Sequence, residues 1–132
     1  MKKILRGLTL LLLAIPSVAL ADDVTKERLL GTWENAAPDI PKNVRQLKFI
    51  TPTHFIWVTY DREMQTQIGM AGGTWSLKEG VYRERIEFTS DEVRGQRGKE
   101  FSFTARINDG KWLHQSLPNT GIVIDEVWRR VE

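Results

Sequence analysis

The stretch EFSFTARINDGKWLHQS, residues 100–116, decides how the chain folds. At its centre, Asn108-Asp109-Gly110 carries a tight-turn signature, because Asp and Gly accept the positive φ that a two-residue hairpin loop demands. Before the turn, Phe101, Phe103 and Ala105 alternate with polar neighbours and so share one face of an extended segment. Residues 100–107 and 111–116 are therefore expected to be antiparallel strands.

The same pattern repeats outward. Lys78-Glu79-Gly80 is a second tight turn, joining expected strands at 68–77 and 81–88. Gly69, Gly72 and Gly73 in the first of these permit strong bending, which barrel curvature would require. Residues 53–60 are dense in aromatic and β-branched side chains, and 44–50 form a strand broken by Thr51-Pro52. A first strand is expected at 29–34, after a short helical turn within 23–28 and before a loop at 35–43 holding Pro38 and Pro41. Residues 61–67 and 89–99 read as loops, 117–121 as a turn, and 122–131 as the last strand.

Eight short strands with no helix long enough for a parallel crossover must be antiparallel neighbours. Such a sheet leaves two open edges unless it closes. Closure into an up-and-down barrel removes them and leaves an interior able to hold one small ligand. A two-sheet sandwich would want longer crossing connections. The expected fold is all-β, a compact eight-stranded antiparallel up-and-down barrel spanning residues 22–132.

The N-terminus has a different character. Lys2, Lys3 and Arg6 precede an apolar run from Leu8 to Leu20, and Ala19-Leu20-Ala21 places small residues where signal peptidase requires them. Residues 1–21 are expected to be a signal peptide cleaved after Ala21, which makes the protein periplasmic or secreted in a bacterium. The run is shorter than the roughly 20 residues a spanning helix needs, and no second one follows, so no membrane span is expected in the mature chain.

Composition narrows the function. The whole chain carries 19 Lys+Arg against 17 Asp+Glu, but removing Lys2, Lys3 and Arg6 leaves 16 against 17, which argues against general nucleic-acid binding. The absence of cysteine excludes a disulfide scaffold, a thiol nucleophile, a thiolate metal site and a lipid-modified N-terminal cysteine. Gly95-Gln96-Arg97-Gly98-Lys99 lacks the spacing, the Ser/Thr and the following helix of a phosphate loop. His54 and His114 show no metal-ligand spacing, so neither metal nor cofactor is implied, and each is expected to be structural or at the surface.

Gly31-Thr32-Trp33 at the start of the first strand resembles the G-x-W signature of the lipocalin and wider calycin barrels. The segments at 30–34, 49–58, 72–77 and 125–128 extend this into a resemblance to small secreted bacterial lipocalin-like domains of uncharacterised function. The resemblance implies that Trp33 plugs one end of a barrel and that an arginine of the last strand packs over its indole, with Arg130 the best match and Arg129 the second. Gly31, Trp33 and Arg130 are then the closure residues.

Alternation supplies candidate ligand contacts. Phe55 and Trp57 share a face, as do Tyr82, Glu84, Ile86 and Phe88, and Ile124, Glu126, Trp128 and Arg130. If these faces point inward with Phe101 and Phe103, aromatic walls enclose a few charges, as in a pocket for a small hydrophobic or amphipathic molecule. Phe55, Trp57, Tyr82, Glu84, Phe101, Phe103, Glu126, Trp128 and Arg130 are the candidate ligand-binding residues. The blander reading pairs Glu84 and Glu126 with Arg83, Arg85 or Arg106 at the rim. The expected function is an exported small-molecule binding module. Two alternatives stand beside it: a small hydrolase or isomerase using carboxylates and a histidine in the barrel, and a filled barrel whose outer face binds a protein.

Overall fold

The computed structural model describes residues 24–118 and 123–131. The signal peptide expected at residues 1–21, and Ile122 at the start of the expected last strand, lie outside the described residues.

A single turn of helix, α1 (Lys26–Leu29), leads into eight strands: β1 (Gly31–Asn35), β2 (Val44–Ile50), β3 (His54–Asp61), β4 (Thr66–Lys78), β5 (Val81–Thr89), β6 (Glu100–Asn108), β7 (Lys111–Ser116) and β8 (Asp125–Arg130). Each pairs antiparallel with the next, and β8 pairs with β1 to close the barrel. The closing register sets Trp33 opposite Arg130, Glu34 opposite Arg129 and Asn35 opposite Trp128. No sheet edge remains, so every strand has two neighbours to satisfy its backbone groups.

Local chemistry explains the turns. Glu79 and Gly80 both have positive φ (53° and 73°), as do Asp109 and Gly110 (51° and 70°), which is the backbone of a tight hairpin matched to the strand twist. The expected loop at 89–99 instead contains a 3-10 segment, Asp91–Gln96, kinked at Val93. Because strand directions alternate, α1 and the turns at 51–53, 79–80 and 109–110 share one end of the barrel. The connections at 36–43, 62–65 and 90–99 share the other.

One expected face is corrected. Phe88 does not point inward with Tyr82, Glu84 and Ile86; it is 42% exposed. The pairing shifts between Gly72 and Gly73, which oppose Phe88 and Ile86, so β5 carries one extra residue, a bulge that reverses the alternation. Glycine is required on the opposing strand. A Cβ on Gly73 would overlap the Arg85 carbonyl oxygen, and one on Gly72 would overlap the Phe88 ring that lies over it.

The core fills the end that carries α1. Leu29, Trp33, Ile50, Phe55, Trp75, Tyr82, Ile86 and Trp112 are buried there and around the barrel axis. Trp33 is 1% exposed, and its Nε1 donates to the Leu29 carbonyl at 2.8 Å, tying α1 across the barrel floor. Trp75 Nε1 donates to the Thr51 carbonyl at 2.8 Å, and the Lys26 ammonium lies 5.3 Å from the Trp75 ring centroid. Large indoles bury much apolar area, and here the N–H groups of Trp33 and Trp75 also find backbone acceptors, whereas that of Trp112 has none among the described residues.

Candidate functional site

Above that packed floor the barrel is hollow. A cavity of about 360 Å³ opens toward the 90–99 connection, with Gly95, Gln96 and Lys99 at its mouth. Its walls are Trp57, Phe101, Phe103, Ile124 and Trp128, and its polar groups are Gln46, Lys48, Glu84, His114 and Glu126.

Register explains this selection. Side chains directly opposite one another in an antiparallel ladder point to the same face. Trp33 opposes Lys48, and Lys48 opposes Trp57, so an inward Trp33 carries both inward. Glu84 opposes Phe101, and His114 opposes Glu126.

Lys48 is the central charge. It is 2% exposed, and its Nζ donates to Glu84 Oε1 at 2.7 Å. The ammonium also lies 4.8 Å from the Trp128 ring centroid, 5.3 Å from Trp112, 5.7 Å from Tyr82 and 6.0 Å from Phe55. Burying an isolated charge is costly. The carboxylate and the faces of four rings offset that cost together.

His114 is 1% exposed, with Phe103, Trp112 and Tyr82 ring centroids at 3.8, 5.0 and 5.4 Å. Burial first, and then the Lys48 charge, hold its pKa well below the ordinary 6.5, so the imidazole is neutral. Its Nδ1 has no hydrogen-bond partner among the described residues. Glu126, beside it, accepts the Trp128 indole N–H at 2.9 Å through Oε2. Burial raises the Glu126 pKa; Lys48 and the Trp128 N–H pull it back, and Glu84 adds to the rise. Deeper in, burial and then Glu84 and Glu126 push the Tyr82 phenol well above 10, and its hydroxyl has no partner in hydrogen-bond geometry among the described residues.

Of the residues expected to contact a ligand, Trp57, Glu84, Phe101, Phe103, Glu126 and Trp128 line the cavity. Phe55 and Tyr82 lie behind the wall, under Lys48, and are fully enclosed. Arg130 lies at the far end, over Trp33: its Cζ is 4.2 Å from the indole centroid, its Nη1 donates to the Leu30 carbonyl at 2.7 Å, and its Nη2 donates to the Arg28 carbonyl. The rim pairing of Glu84 with an arginine gives way to the interior pair with Lys48. His54 is exposed on the outer face, with Nδ1 2.7 Å from the Thr53 hydroxyl, while His114 is an interior group rather than a surface one. Lys48, Gln46, Ile124 and the mouth residues are additions from the structure.

Among the described residues, no group of three or more His, Asp or Glu side chains is arranged to hold a metal ion, and no helix is long and apolar enough to cross a membrane. No family model and no curated protein matches the chain, so its function has to be read from this geometry.

Proposed function

We propose that the protein is an exported binding module that holds one small amphipathic molecule inside a lipocalin-like barrel. The observation that carries the reading is the cavity of about 360 Å³, walled by indole and phenyl rings with a few convergent polar groups, which is the usual composition of a small-ligand site. The barrel is packed at one end and hollow at the other, so a wholly filled interior is not its organisation. A catalytic reading has less support, since Glu84 is engaged by Lys48, Glu126 by Trp128, and the walls present no Ser or Thr hydroxyl among the described residues.

The lipocalin-like assignment draws support from Gly31-Thr32-Trp33 and from the Arg130–Trp33 stack at the closed end. Export draws support from the cationic, apolar and small-residue pattern of residues 1–21; N-terminal sequencing of protein from the periplasm or medium is expected to begin at Asp22. The binding reading is tested by intrinsic tryptophan fluorescence and thermal shift against lipids, aromatic metabolites and amines. A ligand that shifts both Trp emission and the melting temperature supports it. No response across the panel counts against it.

A further inference from the structure

Resting on the binding reading, we propose that the ligand is a small organic cation: a primary or secondary amine with an apolar body, its ammonium held between Glu126 and His114. The inner charges do not balance. Lys48 and Glu84 neutralise each other in a 2.7 Å pair, which leaves the Glu126 carboxylate, among the described residues of the cavity, without an opposite charge bonded to it. The indole N–H of Trp128 occupies only Oε2 and fixes the carboxylate in place. Opposite Glu126 in the β7–β8 register stands His114, buried and neutral, with Nδ1 unpartnered among the described residues.

An ionised carboxylate supplies acceptors only, and a neutral imidazole adds one acceptor nitrogen beside its one donor, which suits an ammonium with its N–H donors and no acceptor. An anionic headgroup would instead have to approach Glu126 and Glu84 together to reach Lys48, whose ammonium is already paired with Glu84. Lys48 is also enclosed by four rings, so its charge is already spent on groups of the protein itself. The exposed Lys99 at the mouth lies in solvent, where its charge is screened. The walls reinforce the choice, because the rings of Trp57, Phe101, Phe103 and Trp128 line the cavity, and aromatic rings attract cations as well as apolar groups. Burial and then the Glu84 charge raise the Glu126 pKa, and a bound ammonium would favour the ionised form.

The test is calorimetric titration of the mature protein with three probes that share a phenyl body: 2-phenylethylamine, 3-phenylpropan-1-ol and 3-phenylpropanoate. The amine is expected to bind at least tenfold tighter than the alcohol, and the carboxylate weakest. In Glu126→Gln, which keeps an acceptor for the Trp128 N–H, the amine is expected to fall to the level of the alcohol; an unchanged preference overturns the assignment. Equal binding of amine and alcohol, or stronger binding of the carboxylate, overturns the cation assignment and leaves the binding module standing. No binding of the three while the neutral dye Nile red still saturates the protein does the same. If Nile red also fails, the cation assignment and the binding reading fall together.

Discussion

The guanidinium of Arg130 lies over Trp33, its Cζ 4.2 Å from the indole centroid, while bonding the carbonyls of Leu30 and Arg28. One side chain on the last strand thus locks the first strand, its Trp plug and the helical turn before it. Arg130→Ala is expected to cost about 1–2 kcal/mol, the sum of a stacked cation and charge-assisted bonds at a partly open site. Arg130→Lys should recover only part of it, because an ammonium cannot present a planar fork to two carbonyls and a ring. Urea unfolding of the three proteins measures both.

The Lys48–Glu84 pair is expected to matter far more when broken than when removed. Lys48→Met leaves the Glu84 carboxylate unpaired among rings and should cost about 3–5 kcal/mol. Lys48→Met combined with Glu84→Gln should recover most of that loss, since no uncompensated charge remains. A double-mutant cycle by chemical denaturation reads the coupling; additive losses would show that the two groups act separately.

The bulge in β5 makes a sharp claim about Gly73, for which Gly95 serves as the control. Gly73→Ala should cost about 2–4 kcal/mol, because the new methyl meets the backbone oxygen of Arg85, which cannot move without opening the ladder. Gly95, in the 3-10 segment, has nothing within 4 Å of its Cβ direction, so Gly95→Ala should stay within about 0.5 kcal/mol of wild type. Thermal unfolding distinguishes them.

Stability should depend on pH through His114. In the unfolded chain the imidazole takes up a proton near pH 6.5, whereas the folded barrel holds it neutral to well below that. The unfolded state therefore binds more protons below 6.5, and stability falls as the pH falls, by at most about 1.4 kcal/mol per unit. Glu126 works in the opposite sense: its raised pKa adds stability at low pH that is lost as the pH rises through the folded value. Relative to wild type, His114→Gln should flatten the decline below pH 6.5, and Glu126→Gln should remove the opposing gain as the pH falls toward the ordinary glutamate range. Denaturation midpoints across that range check both signs.

The barrel was legible in the sequence where the signals are local. The Glu79-Gly80 and Asp109-Gly110 turns need positive φ, and period-two alternation marks the strands between. Trp33 and Arg130, nearly a full chain apart, were tied only through the resemblance their motif carries. Phe88 escaped because one extra residue in β5 reverses the faces, and the cause lies on β4, in glycines that could equally mark simple curvature. Lys48 escaped for a related reason. Its burial depends on Glu84, 36 positions later, and on four rings from β3, β5, β7 and β8, none of which the 44–50 segment announces.

The most direct measurement of a hollow, ligand-accepting barrel is a fluorescence titration of Nile red into wild type and into Ile124→Trp, which fills the cavity from its own wall. The account predicts saturable one-to-one binding with blue-shifted emission in wild type, weakened at least tenfold by the added indole. Emission that never saturates, or binding of equal strength in both proteins, would contradict it.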